Sequence, residues 1–343
     1  MAEKDDIILG LESSCDETAG ALLRGGREVL AQFVASQIDL HRQYGGVVPE
    51  VACRAHMECL LPGVKRILDE AKITPADISA IAVTNRPGLI GALLIGVTAA
   101  KALALAWEVP LIGVNHVEAH IAAARFAEPE LRPPYVALVV SGGHTNVYYI
   151  PDEATYECRC QTRDDAAGEA FDKVAKILGL GFPGGPRIEK AAKTGNPKAF
   201  HWKNSCLPKT GDDFSFSGIK TGVLYAARGQ ENQMRGPVLL DEKGVADAAA
   251  SFQRAVVHAL VTRTLAVAQE TGAKWIALGG GVAANGYLRE EMARAAEKIG
   301  ARVAIPPMNL CTDNAVMIAA RGQELLAAGK IDHLGIEALA RGK

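Results

Sequence analysis

Two apolar runs, each interrupted by a short polar turn, dominate the hydrophobic pattern of the chain. The first, IILGLESSCDETAGALL, covers residues 7–23, and the second, YVALVVSGGHTNVYYI, covers residues 135–150. Apolar runs joined by small turn residues predict β-hairpins. Turns built from glycine and hydroxyl residues also offer backbone N–H groups to an anion such as phosphate. The likeness between the two runs indicates either an internal duplication or two unrelated hairpins.

A later glycine-rich turn favours the duplication. Residues 78–84 read as a strand and 89–107 as a helix, and residues 274–292 read as a strand, three glycines and a helix. This turn nearly matches the dinucleotide fingerprint, although residues 301–308 lack the acid that binds a ribose. Glycines there still allow a nucleotide to approach the backbone closely. The pattern predicts two α/β lobes closing on a nucleotide, as in the actin, sugar kinase and Hsp70 superfamily; a Walker A sequence is missing.

The same pattern predicts the domain organisation. The first α/β lobe is expected at residues 1–128 and the second at 129–321, with a C-terminal helix at 322–343 packing back on the first lobe. A helical insertion is expected in the second lobe at residues 164–245. Acids near one face of a helix in this insertion are typical of a solvated face. They are Asp165, Glu169 and Asp172.

One local stretch is strongly basic. Residues 187–209 contain six lysines and arginines against one acid, with Phe200 and Trp202 interleaved. Basic residues with aromatic side chains between them indicate RNA contact, and the alternative is a lysine-rich loop.

Composition narrows the class of protein. Hydrophobic residues at 49% and charged residues at 22% are typical of a soluble globular chain, and 343 residues are enough for two cores. The formal net charge of −2 means that a nucleic-acid surface must be local. Seven cysteines without a C-x-x-C pair argue against a disulfide framework and for a reducing cytoplasm. The acidic N-terminus does not resemble a signal peptide, and the uncharged run between Arg86 and Lys101 predicts a buried helix too short to span a bilayer.

The stretch NHVEAH contains two histidines that fit a metal-ligand pair. Each residue of a helix advances about 100°, so His116 and His120 share a face, which is either a ligand pair or a polar surface. Glu118 lies roughly 200° round from His116. In a zinc peptidase the glutamate of H-E-x-x-H directly follows the first histidine, so Glu118 does not fit the general base of that motif.

Ten short motifs follow one another along almost the whole chain. They are SSCDET, YGGVVPE, PGLIGALLIG, NHVEAH, LVVSGGHT, DDAAGEAFDKVAK, FPGGP, DFSFSGIKT, GGGVAAN and CTDNA. In this order they resemble the universal tRNA threonylcarbamoyladenosine transferase family, formerly labelled O-sialoglycoprotein endopeptidase. The resemblance extends from residue 8 to residue 325, and a single unit without a fused kinase domain favours the bacterial type. One departure is Asn85-Arg86, where the family commonly has glycine before PGL.

The resemblance implies an acyl transfer to RNA. A threonylcarbamoyl group moves from threonylcarbamoyl-adenylate to the N6 amine of the adenosine 3′ of the anticodon, in tRNAs reading codons that begin with A, and AMP is released. Residues matching His116, His120 and Asp313 would hold one iron ion per subunit, and zinc or another divalent metal could take its place in vitro. Asp16 and Glu17 match acids near the reaction centre, as catalytic candidates. The residues implied to line the adenylate pocket are Val139, Val140, Ser141, Gly142, Gly143, Asp172, Gly185, Glu189 and Asn285.

Two imidazoles and one carboxylate are the ligand set associated with non-haem iron(II), and they leave open positions. Thr312 is placed to cap a helix beginning at Asp313. Since the predicted boundaries assign the histidines to the first lobe and Asp313 to the second, the metal is expected across the cleft. There it would serve as a template or Lewis acid.

The resemblance also implies partners. These are tRNA and threonylcarbamoyl-adenylate as substrates, with a paralogous pseudo-enzyme subunit and a small P-loop ATPase subunit, in the cytoplasm and away from membranes. Rival functions are a metallopeptidase, a small-molecule kinase of the same superfamily and a nucleotide-dependent scaffold. The phase of Glu118 argues against the peptidase. A kinase would not need the His-His-Asp set.

Overall fold

The contacts within the chain divide it into two compact units. Unit 1 contains Met1–Pro129 and Pro307–Lys343, and unit 2 contains Glu130–Pro306. The structure is a computed structural model, and it describes residues 5–44, 46–153, 155–202, 206–207, 211–229 and 236–341.

The described residues form strands and helices in an alternating order. The strands are β1 (Ile7–Glu12), β2 (Glu17–Arg24), β3 (Glu28–Ser36), β4 (Ala80–Arg86), β5 (Leu111–Asn115), β6 (Tyr135–Val140), β7 (Thr145–Ile150), β8 (Glu157–Gln161), β9 (Trp275–Gly279) and β10 (Arg302–Ala304). The helices are α1 (Ile38–Arg42), α2 (Pro49–Ala71), α3 (Ile90–Trp107), α4 (His116–Ala127), α5 (Ala167–Ile177), α6 (Gly184–Ala192), α7 (Ser217–Arg228), α8 (Glu242–Thr271), α9 (Gly286–Glu297) and α10 (Ala315–Ala327).

Each unit is built on a sheet with the same topology. In unit 1 the strand order is β3-β2-β1-β4-β5, and in unit 2 it is β8-β7-β6-β9-β10. In both, the first three strands of the unit pair antiparallel and the last two continue parallel to the first. The two predicted hairpins, β1 with β2 and β6 with β7, are confirmed. The shared topology favours duplication over two unrelated hairpins.

Strand β1 lies at the centre of unit 1, with core on both of its faces. Ile8 packs with Ala82 and Ala319 on one side, and Leu9 and Leu11 belong to the cluster on the other side. A strand buried on both faces has no polar positions to alternate with apolar ones. The continuous run IILGL is therefore explained by its central position.

Helix α10 packs closely on this sheet. A Cβ atom at Gly10 would lie 2.4 Å from the carbonyl oxygen of Ala315, and one at Gly322 would lie 2.4 Å from Ala82 Cβ. Glycines at these two positions let the helix approach the strands. The chain returns to unit 1 at Pro307, earlier than the residue 322 expected from the sequence. The helix expected at residues 322–343 is also wrong in its bounds, because α10 covers Ala315–Ala327 and the described residues after it form no helix.

Helix α3 is buried on one face only. Leu93 and Val97 are buried, whereas Leu94 and Leu105 are about half or more exposed, at 50% and 67%. By length and composition alone it is a candidate membrane span, the one such helix in the described part of the chain. Core helices of soluble proteins pass the same test, and this helix packs on β4 and α2.

Helices α5 to α8 separate β8 from β9 in unit 2. Of the insertion predicted at residues 164–245, the described part contains α5, α6, α7 and the start of α8, and α8 continues to Thr271. Helix α8 packs against β6 and β7 and contributes many buried apolar residues. It is therefore part of the core of this unit.

Candidate functional site

Two potential metal ligands lie in the first turns of α4. The helix begins at His116 because Asn115 caps it: Asn115 Oδ1 accepts hydrogen bonds from the backbone N–H of Val117 (2.9 Å) and Glu118 (3.4 Å). The rings of His116 and His120 are 4.8 Å apart between centroids. They share one face of the helix, as their spacing predicts.

Asp313 completes a cluster at ligand spacing. Its Oδ1 lies 3.4 Å from His116 Nε2 and 3.2 Å from His120 Nε2, and one ligand atom from each residue lies within 4.8 Å of the others. Ligands bound at about 2.1 Å from one ion lie about 3.0 to 3.4 Å apart, from right-angled to tetrahedral geometry. His120 is 1% exposed, and neither ring nitrogen hydrogen-bonds to a described residue. A buried imidazole without such partners, beside a carboxylate, fits a metal ion.

The position of Asp313 corrects two predictions. It belongs to Pro307–Lys343 and thus to unit 1, which also contains both histidines. The prediction that residues of two different lobes hold the metal is therefore wrong. The reason is that α10, which follows Asp313, packs on β1 and β4. The cap of α10 is Asn314, whose Oδ1 accepts a hydrogen bond from the backbone N–H of Met317 at 2.9 Å, and not Thr312.

Glu12 is a buried acid beside this cluster that the sequence analysis missed. It ends β1 and is 0% exposed. Its Oε2 accepts hydrogen bonds from Thr84 Oγ1 (2.7 Å) and His116 Nδ1 (2.9 Å), and its Oε1 accepts one from the backbone N–H of Ser14 (2.5 Å). A carboxylate at Nδ1 fixes the ring and leaves Nε2 for a metal. The sequence did contain a signal for this role: Glu12 is the single acid at the end of the apolar run IILGLE, and a buried charge needs a partner.

The charges in this cluster stabilise one another. Burial alone would raise the pKa of Asp313, but the imidazoles of His116 and His120 hold that pKa well below its usual range. Burial alone would lower the pKa of His116, but Asp313 and Glu12 raise it well above its usual value. An ion that binds at Nε2 therefore competes with a proton that the two acids favour on the ring.

The turn after β1 places Asp16 and Glu17 in unit 1. Asp16 O accepts a hydrogen bond from the backbone N–H of Gln37 at 2.9 Å, and Glu17 Oε1 accepts one from Ser36 Oγ at 3.2 Å. Burial and the neighbouring carboxylates of Asp313 and Asp16 raise the pKa of Glu17 to about 9. The raised pKa favours the protonated form of the Glu17 carboxyl group, which lies within electrostatic reach of Asp313.

Glu118 faces away from the histidines. Its Oε2 lies 2.9 Å from Arg321 Nη2 on α10. The predicted phase of Glu118 is confirmed, and the side chain forms an ion pair where a peptidase would need a general base.

The turn between β6 and β7 in unit 2 has an open glycine side. Ser141 Oγ accepts hydrogen bonds from the backbone N–H of Gly143 (3.4 Å) and His144 (3.1 Å). Cβ atoms built at Gly142 or Gly143 would meet no described atom within 4 Å. Ser141 O accepts a hydrogen bond from the backbone N–H of Gly168, in the first turn of α5, at 3.2 Å. The turn and the start of this helix together suit a phosphate group.

Other predicted pocket residues connect α5, α6 and α9. Asp172 Oδ1 accepts a hydrogen bond from the backbone N–H of Gly184 at 2.6 Å, beside Gly185. Glu189 Oε1 accepts one from the backbone N–H of Gly286 at 3.0 Å, at the start of α9. These contacts bring three sequence-distant motifs of unit 2 together.

Asn285 is held in place from both ends of its amide. Its Oδ1 caps α9 by accepting from Leu288 N at 3.0 Å, and its Nδ2 donates to Gln253 Oε1 at 2.9 Å. The sequence analysis missed Gln253, which lies inside α8. Val139 and Val140 end β6 with buried side chains, at 0% and 1% exposure, and both pair with β7, while Val139 also pairs with β9.

The basic stretch 187–209 is only partly described, and Lys203 and Lys209 lie outside the described residues. Phe200 and Trp202 stack on each other, with ring centroids 5.2 Å and planes 2° apart. The exposed basic residues of the described part are Arg187, Lys190, Lys193 and Lys198.

Comparison with known proteins identifies the family. A sequence model of tRNA N6-adenosine threonylcarbamoyltransferase matches residues 28–320. The chain belongs to this family. A relative from Symbiobacterium thermophilum with the same name is 52% identical over 339 residues, covering 98% of this chain and 96% of the relative. Another from Syntrophotalea carbinolica is 49% identical over 332 residues, covering 97% and 95%.

Solved structures similar to this family member agree with the fold. HypF of T. kodakarensis aligns with a TM-score of 0.64 at 16% identity, over 96% of this chain and 48% of that one. The (R)-2-hydroxyglutaryl-CoA dehydratase component A of Acidaminococcus fermentans aligns with a TM-score of 0.55 at 14% identity, over 94% and 99%. The predicted α/β fold of the actin, sugar kinase and Hsp70 type is confirmed.

Asn85 and Arg86 at the end of β4 hydrogen-bond with each other, and Asn85 also hydrogen-bonds with the C-terminal segment. Asn85 Nδ2 donates a hydrogen bond to Glu337 O at 3.1 Å, and Asn85 O accepts one from Leu339 N at 2.8 Å. Arg86 Nη1 donates to Asn85 Oδ1 at 3.1 Å. Asn85 therefore anchors the C-terminal segment at the end of β4.

Proposed function

We propose that this chain transfers the threonylcarbamoyl group of threonylcarbamoyl-adenylate to the N6 amine of the adenosine 3′ of the anticodon in tRNA. Its tRNA substrates are those that read codons beginning with A. The observation that supports this most directly is the cluster of His116, His120 and Asp313 in a chain of this family. The chain acts as an acyltransferase that modifies tRNA.

The reaction joins a weak nucleophile to an activated carbonyl. The lone pair of the adenine N6 forms a C–N bond with the carbamoyl carbon, the bond from that carbon to the phosphate oxygen breaks, and AMP leaves. One proton is lost from N6. Because the amine is neutral, polarising the electrophile and stabilising the departing phosphate contribute more than deprotonating the nucleophile beforehand.

The residues of the cluster suit iron(II), one ion per subunit, on the Nε2 atoms of His116 and His120 and the carboxylate of Asp313. A divalent ion bound there supplies a Lewis acid for phosphate or carbonyl oxygens. Glu12 orients the His116 ring through Nδ1.

The chain's own residues bind and orient the adenylate. We assign the backbone of Val139 and Val140 and the open turn of Ser141, Gly142 and Gly143 to its phosphate side. Asp172, Gly185, Glu189 and Asn285 complete that pocket. In unit 1, Asp16 and Glu17 are assigned to the reaction centre, where the protonated Glu17 can donate a hydrogen bond to a developing negative charge.

The proposed setting is the cytoplasm. A paralogous pseudo-enzyme subunit and a small P-loop ATPase subunit are the proposed protein partners. The absence of C-x-x-C pairs among seven cysteines suits a reducing compartment.

The test is a transfer assay with the purified chain, alone and with partners added. Labelled threonylcarbamoyl-adenylate and tRNA are expected to yield labelled tRNA and AMP in equal amounts. A tRNA with guanosine in place of the target adenosine serves as the control. Cleavage of a protein substrate without tRNA labelling would contradict the transferase and favour the peptidase.

The ligand set is tested with His116→Ala, His120→Ala and Asp313→Ala. Each is expected to lower bound metal and transfer together, by about 10-fold or more, because a three-residue set has no spare ligand. Metal analysis and the transfer assay are run on the same preparations. Full metal content in a folded Asp313→Ala protein would contradict the assigned set.

A further inference from the structure

The helix that carries both histidines is joined by ion pairs to the helix after Asp313. Arg321 of α10, 3% exposed, donates from Nη2 to Glu118 Oε2 and from Nη1 to Glu324 Oε2, each at 2.9 Å. Glu324 Oε1 in turn accepts a hydrogen bond from Arg125 Nη1 of α4 at 2.9 Å. The four side chains form a chain of alternating charge that begins at Glu118 on α4, passes through Arg321 and Glu324 on α10, and ends at Arg125 on α4.

Several small side chains of both helices contribute to the remaining contact between them. Ala119, Ala122 and Ala123 of α4 share one buried cluster with Ala315 and Ala319 of α10. Small residues let two helices approach closely, but they form shallow ridges that fix the register weakly. Because a helix rises about 1.5 Å per residue, a slip of one residue would displace the imidazoles from the carboxylate by a comparable distance.

We propose that the ion pair of Glu118 and Arg321 is a positioning device for the metal site. It fixes the register of α4 against α10, and thereby the distance from the two imidazoles to the Asp313 carboxylate. Both members are positioning residues, because they act through the helices that carry the ligands. The proposal depends on the metal set but not on the transfer reaction.

The chemistry of the pair suits this task. A guanidinium group presents donors in a rigid fork, so its two charge-assisted hydrogen bonds constrain direction as well as distance. Arg321 is buried, and its carboxylate partners are largely buried, with side-chain exposures of 23% for Glu118 and 17% for Glu324. The glutamate between the two histidines thus has a role on the opposite face of α4.

The test compares Glu118→Ala, Arg321→Met and the double variant. Zinc affinity is measured by competition with a chromophoric chelator, and the visible absorption of bound cobalt(II) reports the ligand geometry. Each single change is expected to lower zinc affinity about tenfold and to alter the cobalt spectrum. The double variant is expected to lose no more zinc affinity than Arg321→Met alone, because that change already removes the pair with Glu118 together with the pair with Glu324.

Matched controls separate positioning from stability. Glu118→Gln keeps an acceptor for Arg321, and its zinc affinity is expected within about threefold of the original. Asp69→Ala breaks the exposed Lys65–Asp69 pair on α2 and should leave zinc affinity and the cobalt spectrum unchanged. Thermal unfolding of the metal-free proteins monitors folding. If Arg321→Met does not fold, Glu118→Ala carries the test.

The outcomes are distinct. A folded Glu118→Ala protein with lower thermal stability but unchanged zinc affinity and cobalt spectrum would overturn the proposal, because the pair would then serve stability only. A wild-type chain that binds zinc with these dependences but transfers nothing to tRNA would overturn the proposed function and leave this inference standing.

Discussion

At the scale of single residues, His116 is the side chain whose chemistry depends most on its neighbours. Glu12 lies 2.9 Å from its Nδ1 and Asp313 lies 3.4 Å from its Nε2. Burial disfavours the charged ring, but these two acids raise its pKa well above the ordinary value of 6.5. A proton and a metal ion therefore compete for the same nitrogen.

We expect the zinc affinity of the chain to rise with pH at values where an ordinary histidine is already neutral, because Asp313 and Glu12 raise the pKa of metal-free His116. The sign follows from the raised pKa of metal-free His116: the proton is still bound there, and the metal must release it. Calorimetric titrations in buffers of different ionisation enthalpy measure the number of protons released.

The variant Glu12→Gln provides the comparison. Losing the negative charge lowers the pKa of His116, so fewer protons are released and the affinity depends less steeply on pH. Zinc affinity itself should also fall, since a neutral amide orients the ring less strongly. An unchanged pH slope in a folded Glu12→Gln protein would contradict this account of the site.

The site residues differ in how far the sequence could predict them. The pairing of His116 and His120 follows from helix geometry, because both are on one helix. The spacing of residues alone did not identify Asp313 as a metal ligand. That assignment came from the resemblance to the family, and the predicted boundaries placed Asp313 in the wrong lobe. Contacts of Glu12 with Thr84 and His116 depend on which strands become neighbours, and that is a property of the whole sheet.

At the scale of elements, α2 holds the turn that carries the catalytic candidates. His56 of α2 is 0% exposed. Its Nδ1 accepts a hydrogen bond from Thr18 Oγ1 at 2.7 Å, and its Nε2 donates one to Cys15 O at 3.0 Å. Burial lowers the pKa of His56 and thereby favours the neutral ring, which joins this helix to the turn through both bonds.

We expect His56→Leu to lower the free energy of unfolding by about 1 to 3 kcal/mol, because a buried carbonyl and hydroxyl lose their partner. Burial lowers the pKa of His56 in the folded protein from 6.5, against the opposing effects of the Cys15 carbonyl and Glu12. The unfolded chain therefore gains the proton first. The contribution of His56 is complete above pH 6.5 and declines as the pH falls toward the folded value.

Thermal unfolding at about pH 7.5 and about pH 5.5 measures this difference. The gap between wild type and His56→Leu should narrow at the lower pH. Thr18→Val, which keeps the titrating ring, should lose stability without removing the pH dependence. A gap that stays constant across this range would contradict the neutral-ring assignment.

The sequence predicted the strands and helices that have strong apolar patterns. It did not predict those whose conformation or boundary depends on contacts with distant parts of the chain. The hairpins β1–β2 and β6–β7 and helix α3 follow from runs of apolar residues. Strand β8 is mostly exposed and has the mixed sequence ECRCQ, so its strand conformation depends on pairing with β7. The start of α10 was also misjudged, because Thr312 and Asn314 both suit a cap and the tertiary structure selects the second.

At the scale of the whole molecule, the two units repeat one strand order although their sequences share only a general plan. The sequence predicted this duplication from three turns. It could not place the return of the chain at Pro307, because that depends on the packing of α10 against the glycine-containing strand β1. A boundary set by long-range packing leaves no local signal.

Charge is also distributed unevenly over the molecule. The chain has a formal net charge of −2, yet exposed basic residues cluster on and after α6 in unit 2. A negatively charged chain that binds RNA needs such a local surface, because its total charge does not attract phosphate. Lys193 and Lys198 are exposed members of this cluster.

We expect Lys193→Glu combined with Lys198→Glu to weaken tRNA binding about tenfold or more at low salt, while leaving the binding of threonylcarbamoyl-adenylate unchanged. Each lysine that neutralises a phosphate releases counterions, so the variant should also show a shallower dependence of tRNA affinity on salt. Filter binding across a salt series measures both the affinity and its salt dependence.

Lys274→Glu combined with Lys298→Glu is the matched control, since these exposed lysines lie in the same unit outside the cluster. Equal losses in the two double variants would mean that total charge attracts the tRNA, and unchanged affinity in the first would make the stretch a solvated loop.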